Sequence, residues 1–360
     1  MPASGGSVSG RFLPASRQRC WLPWVLASAA CFAGWVHAAG AVDTAIPTPV
    51  ADAHAWLTRI HTAANTGNYR GTLVSSMGGS MTSARVAHYC VGDQTFEELE
   101  ALDGRQQHIY RHNADVHTLW LQTRVVVVER RETLAGWQAT PQAVEPGLLE
   151  QYQLRPEGRA RVAGREADVV VLEPRDELRY AQRLWIDRAS GLMLRADVLG
   201  QGADRAVLES TAFSDVEIGV KPQPVSAQMI AARIDGFKVV RPMQQRTQLE
   251  DEGWVLTRSV AGFHLRGCVK RLMDVAPRSP PSQSSPRPAA VLQAVFSDGL
   301  AHVSVFIEPF DAQRHKSEGR AHLGATSTVT QRRQDFWLTT VGDAPATTLK
   351  RLANSLERRR

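Results

Sequence analysis

The spacing of apolar positions changes repeatedly along the chain beyond residue 50, and each change marks a predicted element. Ala53, Trp56, Leu57, Ile60 and Ala64 recur at three- and four-residue steps. That predicts an amphipathic helix with Asp52 as its cap and Gly67-Asn68 as its stop. From Tyr69 to Val220 the period falls to two. Strands are predicted at Tyr69–Val74, Ser83–Tyr89, Thr95–Leu102, Gln106–Arg111, Val116–Gln122 and Arg124–Arg130, with Ser76–Ser80 as a hairpin turn. A Pro/Gly-containing stretch at 136–147 and a short helix around Leu148–Leu154 interrupt the run. Strands resume at Arg159–Val162, Glu166–Pro174, Tyr180–Asp187, Leu192–Leu199 and Val207–Val216. So many successive antiparallel strands predict a large curved sheet or open barrel with a helix against it.

Two strands in that run carry unusual faces. Leu184, Ile186, Leu192, Leu194, Ala196 and Val198 are expected toward the main core, which leaves Trp185 and Met193 on the polar face. Two large apolar side chains there point to a second apolar surface, such as the concave side of a half-barrel, or to a covering helix or loop. Val125-Val126-Val127-Val128 is apolar on both faces, which predicts a strand covered on both sides.

Gly219-Val-Lys-Pro-Gln-Pro-Val225 breaks the pattern, and residues 226–250 have few apolar anchors, as in a linker carrying a short helix. A second unit starts near Trp254, with strands predicted at Phe263–Leu272, Ala290–Ser297, Ala301–Glu308, Thr326–Gln331 and Gln334–Val341. Leu349, Leu352, Ala353 and Leu356 predict a closing helix. Pro277–Pro288 holds five Pro and four Ser and reads as a surface loop.

Composition changes this picture mainly at the N-terminus. The 360 residues carry a net charge of +6, which taken alone invites a polyanionic partner. Residues 1–20, however, hold Arg11, Arg17 and Arg19 and no acid. An uncharged run from Trp21 to Val36 and a small-residue end at Val36-His37-Ala38 follow. This is an export signal, too short to span a membrane as a helix. Removing residues 1–38 takes away three Arg, so the charge falls from +6 to +3, and nucleic acid is not the expected partner. Two of the four Cys leave as well. Cys90 and Cys268 remain, either as two thiols or as a disulfide in an oxidising compartment.

Catalytic patterns are missing. The chain has no phosphate-binding Gly-rich loop, no G-x-S-x-G, no H-E-x-x-H and no C-x-x-C. His108 and His112 would lie about 13 Å apart on a strand, too far to share a metal ion. Glu97, Glu98 and Glu100 beside Asp103 read as a solvated strand and turn. Neither an enzyme, a cofactor nor a metal is expected.

Ordered pieces from about residue 51 to 357 carry a family resemblance. They are Trp56-Leu-Thr-Arg-Ile60, Asn68-Tyr-Arg-Gly-Thr-Leu-Val74, Leu102-Asp-Gly104 and Val126-Val-Val-Glu-Arg-Arg131. Arg161-Val-Ala-Gly-Arg165, Pro174-Arg-Asp176, Arg179-Tyr180, Arg183-Leu-Trp-Ile-Asp187 and Gly191-Leu-Met-Leu-Arg195 are more specific. Ala261-Gly-Phe263, Phe296-Ser-Asp-Gly299, Val303-Ser-Val-Phe-Ile307 and Thr340-Val-Gly-Asp-Ala-Pro345 continue the series. The chain resembles the RseB/MucB family of periplasmic negative regulators of the sigma-E (AlgU-type) envelope-stress response. It departs from the pattern at Ala261, where the family usually has Pro, and in its long Pro277–Pro288 loop.

The resemblance implies an α+β, mostly antiparallel fold. A signal peptide (1–38) precedes an N-terminal unclosed β-barrel like those of LolA and LolB (39–218), a linker (219–250) and a smaller C-terminal sheet with a helix (251–360). It implies a partner, the periplasmic domain of a RseA/MucA-type anti-sigma factor, shielded from the site-one protease. Lipopolysaccharide or lipoprotein acyl chains are the implied releasing signal. The alternative is a lipid or lipoprotein carrier without a regulatory role. Trp185, Met193, Val126 and Val128 are the expected apolar lining, and Arg161, Arg165, Arg179 and Arg183 the expected contacts for acidic or phosphate groups. The oligomeric state is left open, a homo-oligomer included.

Overall fold

The computed structural model describes residues 53–130, 147–272 and 290–359. The export signal, the Asp52 cap, most of the 136–147 stretch and the Pro277–Pro288 loop lie outside them. Helix α1 (Ala53–Thr66) buries Leu57 and Ile60. It stops where the Gly67 N–H donates to Ala63 O. Among the described residues no helix is long and apolar enough to cross a membrane.

Strands β1 (Tyr69–Met77) and β2 (Ser80–Val91) form a hairpin across Gly78-Gly79, both at positive φ, as a two-residue turn requires. Then come β3 (Gln94–Ala101), β4 (Gln107–His112), β5 (Asp115–Trp120) and β6 (Val125–Arg130). A single-turn α2 (Leu148–Gln151) leads into β7 (Tyr152–Val162), β8 (Arg165–Pro174), β9 (Ala181–Asp187), β10 (Met193–Leu199) and β11 (Val207–Ile218). The expected helix through Leu154 is shorter than predicted. From Tyr152 on, burial alternates residue by residue, so that segment is strand. After α3 (Ala227–Arg233), β12 (Lys238–Val240) joins the sheet in parallel to β6.

The resulting order is β12-β6-β5-β4-β3-β2-β1-β11-β10-β9-β8-β7. β11 returns to pair with β1, which welds two meanders into one sheet. The edges β12 and β7 do not pair, so the barrel is unclosed. It is strongly curled all the same, since β7 comes back within reach of β11 four places away. Tyr69, Leu73, Val86, Val169, Trp185, Leu192, Leu194 and Phe213 form a continuous apolar cluster of this sheet, with α1 at its Tyr69–Leu192 rim. The helices pack on two further clusters. There α1 and α2 cover Leu172, Leu184, Ile186 and Met193, while Ile230 of α3 packs on Tyr110, Leu119 and Val126.

A second sheet follows. It comprises β13 (Gln244–Arg246), β15 (His264–Leu272), β16 (Ala290–Ser297), β17 (His302–Pro309), β18 (Gly319–Leu323), β19 (Thr326–Arg333) and β20 (Phe336–Gly342). Its order is β13-β15-β16-β17-β20-β19-β18. Helix α4 (Ala346–Ser355) buries Leu349 and Leu352 against it, and β14 (Trp254–Leu256) pairs with β21 (Leu356–Arg358) behind. Each such Leu contributes about 1.5–3 kcal/mol. The polar linker is stitched into both sheets through β12 and β13, and only Arg241–Met243 lies free between them.

Candidate functional site

The four expected lining residues do not share a surface. Trp185 sits in the cluster of Leu192, Leu194 and Tyr69, with the Arg195 guanidinium 4.4 Å from its ring centroid. Met193 is on the opposite face, in register with Ile186 and packed under α1. A bulge between Met193 and Arg195 causes this. One extra residue shifts the alternation, so Leu192 and Leu194 join Trp185 while Met193 joins Leu184 and Ile186. Val126 is fully buried and Val128 half-buried beneath α3, in a third cluster. Val125 and Val127 are only partly covered, so β6 is less enclosed than its four valines predict.

The four arginines separate in the same way. Arg161 is exposed and donates to Gly164 O within its own turn. Arg165 makes two hydrogen bonds to the buried Asp187, at 2.8 and 3.3 Å. Burial works against that carboxylate, but donation from Arg165 and Ser190 outweighs it and holds Asp187 below the ordinary range. Arg183 donates to Glu157 at 2.6 Å. Arg179 corrects the sequence reading most, because it has no exposed surface and cannot meet a ligand or partner from solution.

Arg179 instead joins the two sheets. It stands on the β8–β9 loop, with Nε 3.2 Å from Asp176 Oδ1 and Nη1 3.3 Å from Asp298 Oδ2. Nη2 donates to Ala261 O at 2.5 Å, and the guanidinium lies over the rings of Tyr152 and Phe263. The Tyr152 hydroxyl donates to Asp298 Oδ2 at 3.0 Å, and Thr348 Oγ1 donates to Leu178 O. The two cores interpenetrate here, with Leu178 in the second and Leu300 in the first. Gly262 permits the approach. Its φ is +76°, and a Cβ there would stand 2.8 Å from the Gln151 side chain and 2.9 Å from Arg179 Nη1. Nearby, burial beside Asp298 pushes the Asp343 carboxyl up to about 6, against a hydrogen bond from His302 N–H. A second contact joins the hairpin tips, where Gly78 faces Leu323 and Gly324 faces Met77.

Sequence reasoning missed a cavity. About 490 Å³ opens between β1–β4, β11 and α3, lined among others by Arg70, Arg85, Glu98, Glu100, Tyr110 and Arg233. Its walls hold Arg70–Glu217 and Arg85–Glu100 ion pairs at 3.0 and 2.5 Å. Arg233 of α3 donates to the Tyr110 hydroxyl. Burial raises the Glu98 carboxyl above its ordinary value despite donation from Val225 N–H. The period-two spacing of residues 98 and 100 placed these acids on one face, but only the strand register sets them opposite Arg85 and Tyr110. A smaller cavity of about 330 Å³ lies between α1 and the sheet rim, with Arg59 above Tyr69, Leu192 and Ile218. Neither cavity is lined by any of the eight residues expected from sequence.

Cys90 and Cys268 are separate thiols, on β2 and β15, and burial pushes the Cys268 thiol up to about 11. Among the described residues no group of three metal-binding side chains occurs.

Comparison with known proteins covers nearly the whole described chain. The family model of the MucB/RseB N-terminal domain matches residues 52–234, and that of the MucB/RseB C-terminal domain matches 247–357. The sigma factor AlgU regulatory protein MucB of Pseudomonas aeruginosa is 32% identical over 327 residues, 87% of this chain and 93% of its own length. The sigma-E factor regulatory protein RseB of Escherichia coli K12 is 21% identical, over 84% of this chain and 90% of its own. Among solved structures, MucB in complex with MucA(peri) aligns with a TM-score of 0.63 at 28% identity, over 86% of this chain and 100% of that one.

Proposed function

The chain belongs to the MucB/RseB family, and from that premise we propose that it is a periplasmic regulator that binds the periplasmic region of a membrane anti-sigma factor. In binding, it shields that region from site-one proteolysis and so restrains sigma-E activity. Lipopolysaccharide, or the acyl chain of a mislocalised lipoprotein, releases it. The observation that carries the reading is the match of both family domains in order, over a chain that spans 93% of MucB. A crystal structure of MucB with MucA(peri) supports the choice of partner.

The physical requirements are modest. A complex with a micromolar dissociation constant is worth about 8 kcal/mol, and a releasing ligand must bind the partner-free form more tightly by about 1.4 kcal/mol for each tenfold loss of affinity. An acyl chain gains about 0.8 kcal/mol per buried CH₂, so two or three extra methylenes buried in one conformation would suffice. The cavity between α1 and the rim, floored by Tyr69, Leu192 and Ile218, has the apolar floor for such a chain.

The test uses the mature chain, the periplasmic segment of its cognate anti-sigma factor and the site-one protease. Binding by calorimetry, slower cleavage of the segment, and reversal of that protection by lipopolysaccharide are expected. No binding at micromolar concentrations would overturn the reading.

A further inference from the structure

The second sheet ends in an edge that is open where other edges are guarded. On the first sheet, β7 carries Pro156, a bulge at Gly158 and charged Arg155, Arg159 and Arg161. β12 and β13 are three residues each. Such features discourage another strand from pairing. β18 has neither a Pro nor a bulge and is longer than β12 or β13. It runs five residues in unbroken register with β19, and all five are exposed. A Cβ at Gly319 would meet nothing nearer than Thr330 Oγ1 at 3.8 Å, so that face of the strand is uncovered there.

The charge along this edge is one-sided. Arg320 and His322 pair in register with Val329 and Ser327, both buried, so they point to the face on which α4 packs. On that face Asn354 of α4 accepts from Gln331, and Arg333 donates to Asn354 O. Arg351 stands one helical turn before Asn354, on the same flank. Arg320 and Arg351 are both exposed, and neither has a carboxylate partner among the described residues. The opposite face of β18 carries Gly319, Ala321 and Leu323, without charge, and Leu323 at its end touches the Gly78 turn of the first sheet.

We propose, resting on the function above, that β18 is the docking edge for the anti-sigma factor. An extended segment of its periplasmic region adds as an eighth strand. Its main chain bonds to the free N–H and C=O groups of β18, and acidic side chains at every second position face Arg320 and Arg351. Backbone pairing supplies affinity, and the alternating charge sets register and side.

Fluorescence anisotropy with the mature protein and twelve-residue peptides tiling the anti-sigma factor's periplasmic region tests this. One tile with alternating Asp or Glu is expected to bind, and moving its acids to consecutive positions should weaken it at least tenfold. N-methylation of alternate peptide amides should abolish binding in one phase and leave it unchanged in the other, since only half the amides face the edge. The double variant R320E/R351E, both surface positions, should weaken the intact segment at least tenfold. Equal effects of the two N-methylation phases, or unchanged affinity of R320E/R351E, would overturn the assignment while leaving the regulator reading intact. Failure of the wild-type protein to bind the intact segment would overturn both.

Discussion

Replacing Arg179 by Met removes the guanidinium that joins the two sheets and keeps most of the side-chain volume. Asp298, whose side chain is fully buried, keeps hydrogen bonds from Leu300 N–H, Ala301 N–H and the Tyr152 hydroxyl but loses the cation 3.3 Å away. Removing one partner of a buried pair costs about 3–5 kcal/mol, because the other charge stays out of water uncompensated. Two cation–π contacts, to Tyr152 and Phe263, go with it at about 0.5–2 kcal/mol each. Urea unfolding followed by tryptophan fluorescence reads the loss, since Trp254 and Trp337 lie in the second unit and Trp185 in the first. The second sheet should unfold at distinctly lower urea, with faster proteolysis at Arg241–Met243. In the double variant R179M/D298N the penalty should shrink by more than about 1 kcal/mol relative to additivity, because Asn needs no cation. A loss below about 1 kcal/mol in R179M, or strict additivity in the pair, would refute the account.

Three further outcomes are expected. Gly262→Ala should lower the melting temperature by several degrees, since the new Cβ meets Arg179 and Gln151 at a positive φ, at a cost of about 1–3 kcal/mol; an unchanged melting temperature would contradict the close approach. Asp343 titrates near 6 when folded and near 3.8 when unfolded, so the folded state takes up a proton as pH falls. Stability should therefore rise from pH 7.5 through 6 toward 4, by on the order of 3 kcal/mol from this group. D343N should be more stable than the wild type at pH 7.5 and lose that part of the pH slope, as urea midpoints at pH 5 and 7.5 would show. Arg233→Ala removes the tie from α3 to Tyr110. Amide exchange in Ala227–Arg233 should then quicken several-fold while β3 and β4 stay protected; equal exchange in both proteins would count against α3 being latched there.

Much of the architecture was legible in the chain itself. The three-to-four spacing of Trp56, Leu57 and Ile60 marks α1, and alternation from Tyr69 to Val216 marks the strands, because both signals depend on local geometry alone. The pieces that carry the family resemblance are equally local. Short strands with few apolar residues carry no such signal. β12, β13 and β18 exist because a neighbouring strand offers them hydrogen bonds, and Lys238–Val240, Gln244–Arg246 and Gly319–Leu323 hold little that announces it.

The site depends on what lies far apart in the sequence. Alternation by twos puts Trp185 and Met193 on one face, and a single bulged residue in β10 parts them. Arg179 reads as one arginine among several until the fold sets it between Asp176 and an aspartate 119 positions downstream, Asp298. Glu98 and Glu100 read as solvated acids until α3 closes over them. By itself, then, the sequence determined which residues alternate, where helices start and stop, and which family the chain belongs to. The tertiary structure decided which side chains are paired, buried or free, because burial and charge pairing are set by strand register and by contacts between distant segments.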